Sequence, residues 1–233
     1  MLILHGEPKD VAKMRKLVAP LSVKQTTAPG AENEPPNKMR KISTEIIEVD
    51  KLKLPDTSPN RWLSLKGINL TEVDKTRLMS GQELSDNHIN FAQELLQTQF
   101  PHISGLQSTL VLDKYQHQKG PVTSTYLQII HTRGNHWIVV TNIGCTPKLQ
   151  VFDSLYLAVD KVTTKFLTNL FGPSIIQMGD SPQHNGALDC GLYAIATCVA
   201  LANNKKPGQF IQKNMRSHLV MCFENYYLTP FPC

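Results

Sequence analysis

A chain of 233 residues, 41% hydrophobic and 18% charged, can hold one domain of ordinary size with a real core, plus a tail. Its formal net charge of +5 is spread thinly, with 10 basic and 8 acidic side chains in residues 1–60 and 14 and 11 in the rest, which argues against nucleic-acid binding. Five cysteines without C-x-x-C spacing argue against a zinc site or a disulfide framework, no run of about 18 apolar residues offers a membrane span, and Met1 to Glu7 turns acidic too soon for a signal peptide. The expectation is an intracellular monomer, nuclear or cytoplasmic, that uses no metal or cofactor.

Residues 1–60 hold 7 of the 15 prolines with scattered charge and few aromatics, the composition of a flexible extension. Within them Lys38-Met39-Arg40-Lys41 is a small basic cluster, read as a solvated charge run ahead of an import signal. From Arg61 the sequence turns globular, and Trp62, Leu63, Leu65, Ile68 and Leu70 are expected to anchor the start of a domain over 61–233. Ser85-Asp86 precedes a helical pattern from Ile89 to Leu96 that ends before Phe100-Pro101. Thr123 to Ile130 reads as a strand. Asn135-His136-Trp137 then opens the run Ile138-Val139-Val140, and Leu149 to Asp153 returns after the turn at Gly144 to Pro147, which makes a hairpin. Val159 to Phe171 has an apolar helical face closed by Gly172-Pro173, Ile175-Ile176 suits a short strand, and Met215 to Tyr226 a last helix. Together these predict an α+β domain whose central sheet is mainly antiparallel and flanked by helices.

The chemistry is expected between Gln183 and Cys198. A polar, glycine-containing loop ends there in Asp189-Cys190-Gly191, and the apolar run Leu192 to Ala202 follows as a buried helix. Cys190 would then sit in the first turn, where free N–H groups and the helix dipole favour a thiolate. Alone, it reads equally well as a small buried residue, because free cysteine is among the most buried residue types. A nucleophile needs a base and a group that orients the base. The hairpin supplies both: it brings the start of one strand near the end of the next, so that His136 and Asp153 become neighbours across 153 − 136 = 17 positions.

The order His136-Trp137, then Val151-Phe152-Asp153-Ser154-Leu155, then Gln183-x-Asn185-Gly186 and Asp189-Cys190-Gly191 resembles the ubiquitin-like protease family, the cysteine peptidases that process SUMO-type modifiers. The resemblance spans roughly residues 60–233. It implies an adenain-like, papain-like α+β fold, with His136 as base, Asp153 as orienter and Cys190 as nucleophile at a helix N-terminus. The partner it implies is a ubiquitin-like modifier or its conjugates. It also implies a glutamine as oxyanion donor six positions before the cysteine, where this chain has His184. Gln183 is preferred for that role because Gln-x-Asn-Gly keeps the family's local order, with His184 as the alternative through a ring N–H. The family's substrate-tunnel clamp pairs a tryptophan after the histidine, here Trp137, with another whose place is taken by Glu83. That departure leaves two further readings open beside the peptidase: a catalytically weak modifier-binding protein, or an acyltransferase built on the same triad.

Overall fold

The computed structural model describes residues 60–110, 122–132, 135–145 and 148–233. The expected extension over 1–60 and its basic cluster therefore lie outside the described residues, apart from Asn60. So do Gly134, two residues before His136, and Thr146-Pro147 in the hairpin turn.

The described chain opens with a hairpin, β1 (Arg61–Leu65) and β2 (Ile68–Thr71), whose turn places Gly67 at φ +86°. Helix α1 (Glu72–Met79) follows. Thr71 caps it reciprocally: Asp74 donates its N–H to Thr71 Oγ1 at 3.3 Å, and the Thr71 N–H donates to Asp74 Oδ2 at 2.8 Å. Helix α2 (Asp86–Gln99) ends at Phe100, ahead of Pro101 as expected. At its start His88 is fully buried, and its Nε2 meets the Asp74 carbonyl at 3.0 Å, so the proton sits there. Nδ1 is then free to accept the Ser85 N–H at 3.2 Å. Burial lowers the His88 pKa, and this histidine is a neutral brace between α1 and α2.

The main sheet runs in the order β3 (Ser104–Gly105), β4 (Tyr126–Thr132), β5 (His136–Thr141), β6 (Leu149–Phe152), β7 (Ile176–Met178). Its three central strands are antiparallel, as expected, while β3 on β4 and β7 on β6 are parallel. The parallel edge at β7 arises because the chain crosses over through α3 (Lys161–Phe171) before returning, and a helix-long connection is what a parallel neighbour requires. Asp160 caps α3 by accepting the N–H groups of Val162 and Thr163 at 2.7 and 3.0 Å. Helices α4 (Cys190–Ala202) and α5 (Gln212–Glu224) complete the fold.

Both faces of the sheet are covered, which is why all six residues of β5 are buried and why it reads as a continuous apolar run. Trp137 and Val139 join one core cluster with α2, α4 and α5; Ile138 and Val140 join the other with Leu167, Leu170 and Phe171 of α3. Almost every residue of α4 is buried, the signature of a helix apolar on all sides. No described helix is long and apolar enough to cross a membrane.

One close contact ties this packing to the end of β6. A Cβ on Gly179 would lie 2.5 Å from the Phe152 ring, immediately before Asp153. Gly179→Ala is expected to destabilise the domain by about 1–3 kcal/mol, the usual cost of overpacking. Urea unfolding of the variant measures it, and an unchanged midpoint would contradict this packing.

Candidate active site

Three elements carry the residues of the expected triad. His136 is the first residue of β5, Asp153 follows the last residue of β6, and Cys190 is the first residue of α4. All three are buried. His136 Nε2 lies 2.8 Å from Asp153 Oδ1, and the same oxygen accepts the backbone N–H groups of Leu155 and Tyr156 at 2.8 and 2.9 Å. A carboxylate oxygen receiving three donors fixes the proton of the imidazole on Nε2, which turns Nδ1 toward the other partner. Cys190 is the other side chain that acts on this ring. Burial alone would lower the His136 pKa. The hydrogen bond to Asp153 and the charges of Asp153 and Cys190 outweigh burial and raise it to about 9. The imidazolium is therefore the resting form at neutral pH. The ring of Tyr156 packs edge-on against His136, with centroids 5.5 Å apart.

The two candidate oxyanion donors are placed differently from the expectation. Gln183 is exposed, and its amide donates to the carbonyls of Asp153 at 2.9 Å and Ser181 at 3.2 Å. It braces the loop against the end of β6. His184 is the residue that turns inward: it is 7% exposed, its N–H donates to the Ser154 carbonyl at 3.1 Å, and its ring packs on Tyr193 with centroids 5.3 Å apart. Neither of its ring nitrogens has a hydrogen-bond partner; the Asn185 backbone lies nearby without the geometry of a bond. Burial lowers its pKa, against the pull of that backbone and of Asp189, and keeps the ring neutral with one N–H to give. A one-residue offset in a loop separates the two outcomes, because neighbouring side chains leave the backbone in different directions.

Trp137 and Glu83 do meet across one cleft. It measures about 390 Å³ and is lined by both, with Arg77, Leu84, His131 and Asn135 among its other walls. Trp137 donates its indole N–H to the Leu84 carbonyl at 3.3 Å and packs on His131 with centroids 4.5 Å apart. A Cβ on Gly191 would lie 3.1 Å from both Leu84 Cβ and Trp137 Cδ1, so the glycine after the cysteine lets this wall close on the helix start. Glu83 accepts a hydrogen bond from Asn135, which holds the left-handed conformation (φ +60°) directly before His136 and also bonds His131. Trp62 does not line this cleft. It packs on Phe223 and donates to Glu224 at 3.2 Å, so it cannot stand in for a second clamp residue.

Two residues of the site have no counterpart in the sequence reading. Arg216 and Gln212, four positions apart on α5, both bind the Asp189 side chain beside Cys190. Nothing in a lone arginine on a predicted helix points to such a role, and the contact emerges only when α5 packs under the loop.

No protein-family model matches the chain, and no curated protein matches it in sequence. Solved structures do match in three dimensions. The C-terminal Ulp1 protease domain in complex with Smt3, the yeast ortholog of SUMO, superposes with a TM-score of 0.61 at 15% identity, over 71% of this chain and 87% of that one. The SUMO protease Ulp1 with its catalytic cysteine oxidised to a sulfenic acid gives 0.62 at 15% identity, over 72% and 89%. The Ulp1-like SUMO protease catalytic domain of Chaetomium thermophilum gives 0.55 at 17%, over 75% and 85%. The buried histidine, aspartate and cysteine described above thus stand on the fold of the Ulp1-type ubiquitin-like cysteine proteases.

Proposed function

We propose that the chain is a cysteine-type peptidase or isopeptidase that releases a ubiquitin-like modifier, of SUMO, NEDD8 or ubiquitin type, from its precursor or conjugates. The observation that carries this reading is a histidine hydrogen-bonded to a buried carboxylate, its pKa raised by that carboxylate and by a buried cysteine at a helix N-terminus. Cys190 thiolate attacks the carbonyl carbon of the modifier's last residue. His136 Nδ1 gives its proton to the leaving amine, and the C–N bond breaks to leave a thioester. Neutral His136 then takes a proton from water, whose oxygen displaces the sulfur and frees the carboxylate. Negative charge on the carbonyl oxygen is met by the Cys190 N–H and by a side-chain donor of the preceding loop, Gln183 or, if its buried ring turns outward, His184. A donor of this kind is typically worth on the order of 100- to 1000-fold in rate. The five free thiols suit a monomer working in the reducing nucleus or cytoplasm.

Cys190→Ala is expected to abolish turnover and retain the fold, since no other atom there can form the thioester. Reacting the protein with ubiquitin, SUMO and NEDD8 carrying a C-terminal propargylamide tests the assignment directly. An adduct on Cys190, read by mass, supports it and names the modifier. Labelling of Cys145, Cys198 or Cys222 instead, with activity surviving in the alanine variant, would overturn it.

The raised His136 pKa sets the pH dependence. The imidazolium is present below about 9 and lost above it, so kcat/KM should fall on an alkaline limb near pH 9. Because the folded-state value lies above the unfolded one of about 6.5, the associated folding stability is complete below about 6.5 and is lost as pH rises through about 9. Asp153→Asn removes the largest raising influence, and the limb should move toward neutrality in a pH–rate series. A limb unmoved by this change would mean that Asp153 does not hold the imidazolium.

Glu83 bears on efficiency. A carboxylate opposite Trp137 neither excludes water nor presses a glycine-glycine tail into place as an aromatic lid does. Glu83→Trp is expected to raise kcat/KM on a fluorogenic tail substrate, and Glu83→Gln to raise it less. Both variants within about twofold of wild type would show that the open clamp has no catalytic consequence.

A further inference from the structure

The guanidinium of Arg216 stands behind the candidate nucleophile and uses all of its donors there. Nε donates to Asp189 Oδ1 at 3.1 Å, and Nη2 donates to the same oxygen and, at 3.5 Å, to the Leu188 carbonyl. Nη1 donates to the carbonyls of Leu78 and Gln82, each at 2.9 Å. One turn earlier on α5, Gln212 Nε2 donates to Asp189 Oδ2 at 2.6 Å and to the Asn185 carbonyl at 3.0 Å, while Gln212 Oε1 accepts the Asn185 N–H at 3.2 Å. The side chains of Arg216 and Asp189 are only 15% and 16% exposed.

This arrangement takes Asp189 away from the role its place suggests. It occupies the N-cap of α4, yet its carboxylate makes no capping bond to the helix. The charge instead faces a cation, one residue from the sulfur. An unpaired carboxylate at that position would oppose the thiolate. The same guanidinium ties the loop before Cys190 to the segment that leads into one wall of the cleft. Through Leu188 and Asp189 it fixes the entry to Cys190; through Leu78 and Gln82 it fixes the turn that leads to Glu83 and Leu84, the wall facing Trp137.

We infer that Arg216 is a positioning residue for the Cys190 nucleophile: it neutralises Asp189 and locks the nucleophile loop to the cleft wall in one register. It does not touch substrate. The inference rests on the reading of Cys190 as the nucleophile. The charged and titratable groups around the first turn of α4 include His136 and Asp153 from the sheet, His184 and Asp189 from the loop, Tyr193 from α4 itself and Arg216 from α5, with Arg77, Glu83, Asp86 and His131 lining the neighbouring cleft. Among them Arg216 is the permanent cation that touches Asp189.

The test uses the full chain and two separate readouts. The first is the pH profile of Cys190 alkylation by iodoacetamide, followed by peptide mass, which needs no peptidase activity. The second is kcat and KM on a fluorogenic modifier substrate. Arg216→Met should move the alkylation midpoint upward by at least half a pH unit and lower kcat at least tenfold, with KM within about threefold. Adding Asp189→Asn to that variant should restore the midpoint while kcat stays low, because the charge conflict is gone and the tether is still missing. Arg216→Lys, which keeps the charge without the fork, should leave the midpoint in place, lower kcat, and serve as the reporter should the methionine variant not fold. A folded Arg216→Met protein with wild-type midpoint and kcat within twofold overturns the inference, as does an Arg216→Lys protein with wild-type kcat. Should wild type cleave no modifier, the proposed function fails while the alkylation profiles still decide whether Arg216 governs the thiol.

Discussion

A single carboxylate oxygen, Asp153 Oδ1, carries the geometry on which the site depends. It accepts two backbone N–H groups from the turn that follows and one ring N–H from His136, so the aspartate is held by its own chain before it holds the histidine. Burial works against a charged imidazole. The hydrogen bond to Asp153 and the charges of Asp153 and Cys190 overcome that cost, and the net rise to about 9 indicates which influence prevails. The position of the proton on Nε2 is thus selected by the fold.

That geometry in turn requires α4 to start where it does. The helix is buried on nearly every side, so its position is set by packing against β5, α2 and α5 and not by its own propensity. Its first turn has little freedom left. Gly191 admits Leu84 and Trp137 to within van der Waals range of the backbone, and Cys190 is held between this wall and His136. A thiol on an exposed loop would be free to move; this one begins a core helix, and its place relative to the sheet is set by that packing.

Much of this was legible in the residues. The period of β5 and β6 and the glycine turn between them defined a hairpin, and a hairpin dictates that His136 and Asp153 lie close. The capping signals at Ser85 and the Gly172-Pro173 stop gave the ends of α2 and α3 to within about two residues. What escaped was of three kinds. Helix α1 carries the T-x-x-D pattern of a capping box at Thr71 to Asp74, a signal present and unread because the helix is short and weakly amphipathic. Strand β3, two residues long, has no pattern to read. The inward turn of His184 and the reach of Arg216 are tertiary outcomes: the first depends on loop direction at a single residue, the second on a helix whose sequence gives no sign of its partner.

Three carboxylates of the site and its neighbouring cleft show how the structure manages like charge. Asp153 faces His136, and Asp189 faces Arg216, each pair largely out of water where an uncompensated charge is costly. Glu83 differs. Among the described residues its hydrogen-bond partner is the neutral amide of Asn135, although Arg77 lines the same cleft. An amide orients a carboxylate without cancelling its field, and a half-exposed cleft screens that field incompletely. Asn135 is itself the left-handed residue before His136, so the bond couples the cleft rim to the start of β5.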